Sequence, residues 1–411
     1  MVEFKPMKDF NEFMELSQRC YPGMKLNSKE EKERYTEHRE KMNAKENIRT
    51  IGLYEHEKLA GGYIEYDYVA NVYGTAVKAA GIGTVAVDLV NKKQGHAKRL
   101  IQKFLLDARS NGRPLAQLYP FQPSFYKKMG FGLGPKLETY RFHPSQLPTV
   151  ENGLKGVVLG EGDEEEVSRC YHQWSRQTHG ACDKPEYEFA FLKKEDHHAI
   201  GVRENGVLTG YVNFQFEQQP GDHFLQNDLI VRNFISTSVK AYRSLLAILH
   251  NQKDQVRSIL FPTFDEGFSM VLDDPTHTDA DIIFGIYHKT SEAGRGLMYR
   301  IIDVDRFRDE VKDHSFGTET VRIGWTIHDS LLEETYEAVW QFDNGRPQKT
   351  DQPADVNLSL GIGEFSSLMM GCLTLRDLVY RGSVEEQDRE AFRTALDLFS
   401  QPTKPESWSF F

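Results

Sequence analysis

The sequence predicts an α/β protein built on mixed α+β sheets, in which one order of elements runs through twice and an α+β domain follows. Three observations carry this. A β-branched run at Val85 and Val87 passes through a basic, glycine-containing turn into a segment with apolar residues at Ala97, Leu100, Ile101, Phe104, Leu105 and Ala108, one face of a 3.6-residue period. Between about 150 and 290 a helix, a hairpin, a strand and a helix recur in the same order but more weakly. From about 291 the texture changes to strands punctuated by turn residues, then short helices.

In the first part, residues 1–147, Asp9 to Arg19 and Lys29 to Ala44 are predicted helices, the second highly charged. Thr50 to Glu55 and Leu59 to Tyr68 alternate as a hairpin around Glu55–Lys58. After the Val85 strand comes the long helix, stopped by Asn111-Gly112 with Pro114 just beyond. Pro114 to Tyr119 is a short strand. Pro120 to Gly132 holds a short helix, with Pro123 in its first turn and Gly130 at its C-terminal end. Thr139 to Phe142 is a final strand, and Pro135, Pro144 and Pro148 mark the exit.

In the second part, residues 148–290, an acidic helix (Glu164 to His172) leads into a hairpin from Ala199 to Phe214, turned at Asn205-Gly206. A strand, Asp228 to Ile235, precedes a helix from Ser238 with Val239, Tyr242, Leu245, Leu246 and Leu249 on one face. The junction Asn233 to Ser238 has no glycine and no basic pair, and a Ser or Thr caps the helix. This part reads as a second copy of the first fold that has lost its anion site. An unrelated α/β domain is the alternative.

The third part, residues 291–411, has a strand at Met298 to Val304, a charged helix at Asp305 to Lys312, and strands at Val321 to Ile327, Glu333 to Phe342 and Asn357 to Leu360. Phe365 to Cys372 and Leu375 to Arg381 are short helices, and Glu385 to Phe399 is amphipathic. The proline-punctuated tail ends in Trp408, Phe410 and Phe411, three large aromatics with no local partner, so a docked tail is expected.

A length of 411 residues suggests two to four domains. The net charge of −11 disfavours nucleic acid as partner and favours cationic amines. No apolar leader and no run of about 18 apolar residues is present, so a protein neither secreted nor membrane-spanning is expected. Cys20, Cys170, Cys182 and Cys372 are scattered without metal spacing, which points to a reducing, cytoplasmic setting and no metal.

The turn after Val87 carries the chemistry. Free N–H groups at a helix start, the positive end of its dipole and a glycine allowing close approach make an anion site. Lys92, Lys93 and Lys98 suit it to a polyphosphate. Neither a Walker loop nor a dinucleotide fingerprint fits, since no GKS or GKT follows and only one glycine is present.

Two motifs, in order, resemble the GCN5-related N-acetyltransferases (GNAT). One is Lys92-Lys93-Gln94-Gly95-His96-Ala97, whose first position departs from the family's Arg or Gln. The other is Phe125-Tyr126-x-x-Met-Gly130-Phe131. The resemblance implies acetyl-CoA as co-substrate. Val85, Ala86 and Val87 would present main-chain groups to the pantetheine arm. Lys93, Gln94, Gly95, His96, Ala97 and Lys98 would hold the pyrophosphate, with Phe121 and Gln122 along the other side of the arm.

Two such units, one degenerate, followed by a β-rich domain and an aromatic C-terminus resemble the enhanced-intracellular-survival (Eis) acetyltransferases along the whole chain. That resemblance implies a third domain like a sterol carrier protein and homohexameric assembly. It implies acetylation of primary amines on aminoglycoside-like or other polyamine acceptors. Tyr126 would be the general acid and the C-terminal carboxylate of Phe411 the general base. A lipid- or acyl-binding carrier acting through the third domain, and transfer of a longer acyl chain, are the alternatives.

Overall fold

The computed structural model describes residues 2–24, 26–218, 227–279 and 281–409. They form two compact units. One holds the chain up to Gly134 together with Leu297–Pro405; the other holds Pro135–Gly296 together with Glu406–Ser409.

The first unit opens with β1 (Val2–Pro6), α1 (Phe10–Cys20), α2 (Lys29–Asn43), β2 (Ile48–Glu55), β3 (Lys58–Val72) and β4 (Thr75–Val87). Each of the two hairpin turns, His56-Glu57 and Tyr73-Gly74, has both residues at positive φ, the geometry that follows strand twist. A capping box of Ser28 and Glu31 starts α2. Next come α3 (His96–Ser110), β5 (Leu115–Leu118), α4 (Pro123–Lys127) and β6 (Gly132–Leu133). α3 buries Leu100, Ile101, Phe104, Leu105 and Ala108 against Leu53, Tyr63, Ala80 and Ile82 of the sheet. Each large side chain contributes roughly 1.5–3 kcal/mol by leaving water.

The sheet order is β1-β2-β3-β4-β5, then the strand Met298–Ile301, then β6. Met298 lies opposite Leu118 and Ile301 opposite Leu115. The rest of this unit is a four-stranded sheet in the order Arg346–Thr350, Glu334–Asp343, Val321–Asp329, Val356–Gly361, the last pair parallel. Trp325, Trp340, Phe342, Phe365 and Phe399 interlock edge to face in its core. The amphipathic segment expected from Glu385 is helical over Glu390–Leu398.

The second unit repeats the arrangement. Its sheet runs Ser291–Gly294, Leu137–Phe142, Val256–Thr263, Asn227–Ser236, Val207–Gln218, His198–Glu204, Gly156–Leu159. Strands Asn227–Ser236 and Val256–Thr263 are parallel, the helix Val239–His250 connects them, and the ladder holds only from Asn227 to Ile230. The strand Leu137–Phe142 takes the place here that Met298–Ile301 takes in the first sheet.

This corrects the expected boundaries. Thr139–Phe142 was placed in the first part and Met298–Val304 in the third; the ladders put one in the second sheet and the other in the first. The alternation of Leu137–Phe142 specifies a strand with one buried face, and any edge of matching register satisfies it. Sequence adjacency favoured the wrong sheet.

Candidate active site

The two central strands of the first sheet part. β4 pairs with β5 only from Ala79–Leu115 to Gly81–Gln117, so Ile82–Val87 runs on without a ladder on that side. A bulge accompanies the parting: Gly62 faces Ala86 but Ile64 faces Gly83, leaving Thr84 and Val85 opposite Tyr63. Thr84 sits at φ +48, a strained setting for a β-branched residue, of a kind that collects at functional sites. Ala86 is buried, while Val85 and Val87 are half-buried.

Three successive residues around the end of α1 reach this strand end. The Tyr21 hydroxyl donates to the Val85 carbonyl at 2.7 Å, the Cys20 thiol donates to the Val87 carbonyl at 3.1 Å, and Arg19 pairs with Asp88 at 2.7 Å. Burial pushes the Tyr21 phenol up to about 12, with Cys20 and Tyr35 adding to it. Burial also pushes the Cys20 thiol up, against the opposing Val87 hydrogen bond. Burial raises the Asp88 carboxyl too, but the Arg19 hydrogen bond and charge outweigh it and hold the group below the usual range. None of these three was singled out from the sequence. Their signal was the run Arg19-Cys20-Tyr21 at a helix end, and nothing local says which strand it meets.

Gly95 is the N-cap of α3, left-handed at φ +81, with no side chain capping the helix. A Cβ there would meet nothing within 4 Å. The first N–H groups of this 15-residue helix have no side-chain cap, and exposed Lys92, Lys93 and Gln94 stand before them. These features fit a pyrophosphate. Gln94 donates to the Val90 carbonyl at 3.2 Å, which ties the loop to itself. Lys98 is shared with Glu333 at 3.8 Å. Ala97 is half-buried, and His96 turns inward, 2% exposed, its Nε2 lying 3.4 Å from a Glu55 oxygen. His96 therefore offers this loop its backbone, not its ring.

Beyond β5, Phe121 is 62% exposed, and its ring meets Phe125 and Tyr126 at 5.4 and 5.6 Å. Gln122 is the exposed N-cap of α4. Tyr126 is buried, packed edge-on to Phe125 and Phe131. Its hydroxyl has no hydrogen-bond partner among the described residues. Burial drives its pKa far above the ordinary phenol value, and the Tyr21 phenol adds to the shift. Phe411 lies outside the described residues.

The first unit thus holds parted strands, a bulge and a helix N-terminus without a side-chain cap, features that fit an extended, phosphate-ended ligand. Comparison with known proteins agrees. An acetyltransferase (GNAT) domain matches residues 5–134, a second acetyltransferase (GNAT) domain matches 166–301, and a sterol carrier protein domain matches 314–408. An uncharacterized N-acetyltransferase of Streptomyces coelicolor is 33% identical, the match covering 87% of this chain and 88% of that protein. Two solved structures share the fold over the full length of both chains. A GCN5-related N-acetyltransferase from Anabaena variabilis has a TM-score of 0.80 at 18% identity, and Eis1 from Mycobacterium abscessus has 0.78 at 18%. The chain belongs to the GNAT N-acetyltransferases, in the Eis-like arrangement of two such domains followed by a sterol-carrier-like domain. GNAT domains use acetyl-CoA.

Proposed function

We propose that this enzyme transfers the acetyl group of acetyl-CoA to primary amines of a cationic acceptor, aminoglycoside-like or another polyamine, with Tyr126 as general acid and the C-terminal carboxylate of Phe411 as general base. The observation that carries the reading is the conjunction in one unit of the uncapped Gly95 helix start, the parted β4 and the buried Tyr126, whose hydroxyl has no partner among the described residues.

Acetyl transfer needs a positioned thioester, a deprotonated amine and a protonated leaving thiolate. The α3 N-terminus, with the backbone of Gln94 to Ala97, would hold the pyrophosphate. Val85 to Val87 would take the pantetheine amides along the free side of β4, and Phe121 and Gln122 would flank the arm. Tyr126, its pKa raised by burial, keeps its proton across the working pH range. It gives that proton up only to a base desolvated in the same site, as a departing thiolate would be. A carboxylate with a reference pKa near 3.5 acts on an ammonium through water, or after burial raises it. The net charge of −11 favours a cationic acceptor. The family resemblance supports a cytoplasmic homohexamer. The aromatic packing in the third part's core favours a scaffolding role for it over lipid carriage.

The test is a thiol-release assay with acetyl-CoA, longer acyl-CoA esters and a panel of amines, on wild type and Tyr126→Phe. Acetyl-CoA turnover with polyamine acceptors is expected, and a kcat lower by about 10²–10⁴ in the variant. Preference for long acyl chains, or binding of acyl lipid without turnover, would favour the alternatives. An unchanged kcat in the variant across all amines would remove Tyr126 as acid.

A further inference from the structure

Arg300 is fully buried. It lies on the strand Met298–Ile301, opposite Ala116 of β5. Its Nη1 donates to the Met129 carbonyl, a residue 171 positions earlier. Its Nη2 pairs with Asp329, and the guanidinium lies 5.9 Å over the Phe131 ring. Asp329 is itself fixed, its other oxygen accepting the Leu331 and Leu332 N–H groups at 3.1 and 3.0 Å.

Those contacts converge on the turn that closes α4. The N–H groups of Met129 and Phe131 both donate to the Tyr126 carbonyl, at 2.9 and 3.1 Å. The Phe131 ring meets the Tyr126 ring edge-on at 6.0 Å. Gly130, between them, sits at φ +74, and a Cβ on it would overlap the Arg300 guanidinium. The glycine of the second motif thus meets two demands at once, a left-handed turn and room for an arginine.

A buried guanidinium is costly to desolvate, and an apolar side chain of similar volume would often be neutral or stabilising in its place. Space-filling does not explain Arg300. We propose that Arg300 is a positioning residue for Tyr126: by clamping the Met129–Phe131 turn from the inserted strand, it fixes where the phenol points. The proposal rests on the reading of Tyr126 as general acid. It gives the inserted strand a part in the chemistry as well as in the sheet.

A double-mutant cycle between Arg300→Met and Tyr126→Phe tests it, with kcat, acceptor KM and acetyl-CoA affinity read separately. Arg300→Met should lower kcat about ten- to a hundred-fold, the cost of a group misplaced by about an ångström. Acetyl-CoA affinity and acceptor KM should stay within about three-fold, because the clamp touches neither the phosphate loop nor the bulged strand. The double variant should be no slower than Tyr126→Phe alone, and Arg300→Lys should recover part of the loss. Losses that multiply in the double variant, or a wild-type kcat in Arg300→Met, would overturn the proposal. A wild-type kcat in Tyr126→Phe alongside a slow Arg300→Met would show instead that the acid assignment is wrong, and the proposal with it. If Arg300→Met does not fold, Arg300→Lys carries the same cycle: losses hidden by Tyr126→Phe support the clamp, and multiplying losses or none overturn it.

Discussion

At the scale of single residues, Gly95 does the most with the least. Its left-handed φ and the open space around its missing Cβ are separate properties, and two substitutions separate them. Gly95→Ala meets no neighbour and pays only the left-handed strain of roughly 1–2 kcal/mol. Gly95→Glu adds bulk and negative charge where phosphates would sit. Calorimetry should show acetyl-CoA affinity reduced in the first and abolished in the second, with one CoA per chain in wild type. Equal, undiminished binding in both would place the phosphates elsewhere. This glycine was legible in the sequence because its neighbours announce it: a β-branched run on one side and a 3.6-residue period on the other. Tyr21 was not. Its hydroxyl meets a carbonyl 64 positions away, and helix periodicity within α1 says nothing about that distance. His96 shows a finer limit. The motif supplies its backbone position, but the ring's inward turn depends on packing beside Glu55.

At the scale of elements, strands and helices were largely readable, while their partners were not. The Val85 strand was expected, but its full span from Thr75 and the bulge at Thr84 were not, because a bulge is a register event between two strands. The tail shows what composition can give. Trp408 was expected to dock, and it is buried among Tyr171, Trp174, Tyr211 and Ile235, 5.3 Å from the Phe264 ring. The same segment half-buries Glu406, whose N–H donates to the His179 carbonyl at 2.7 Å. Burial pushes the Glu406 carboxyl up to about 7, and the Asp265 charge adds to it. The folded chain therefore keeps a proton that the unfolded chain, with an ordinary carboxyl near 4.3, has already released. Between those two values stability falls as pH rises, and above about 7 the loss is complete. Scanning calorimetry should show this as a decline of a few degrees in melting temperature between about pH 5 and pH 8. Glu406→Gln, which mimics the protonated form, should flatten its share of that slope. An identical slope in the variant would mean that Glu406 does not report the docking.

At the scale of the molecule, the first sheet takes the strand Met298–Ile301 from outside its own continuous run of sequence, the second sheet is drawn from one run between Leu137 and Gly294, and Glu406–Ser409 belongs to the second unit. Phe411 lies outside the described residues, two positions past Ser409. A carboxylate base at Phe411, as proposed, would owe its effect to proximity rather than basicity. Three altered ends separate the possibilities. A C-terminal tag moves the charge and adds bulk. Deleting Phe410 and Phe411 removes the charge's position and two aromatics. Amidation by semisynthesis removes the charge alone and leaves every side chain in place. If the carboxylate is the base, all three should cut kcat by about 10²–10⁴ while acetyl-CoA affinity holds, because the proposed phosphate loop is built from residues 92–98. The loss in the amide should shrink as pH rises and the acceptor amine deprotonates unaided. Full activity in the amidated enzyme, with loss only on tagging or deletion, would reduce the tail to a latch and leave proton removal to water or another group.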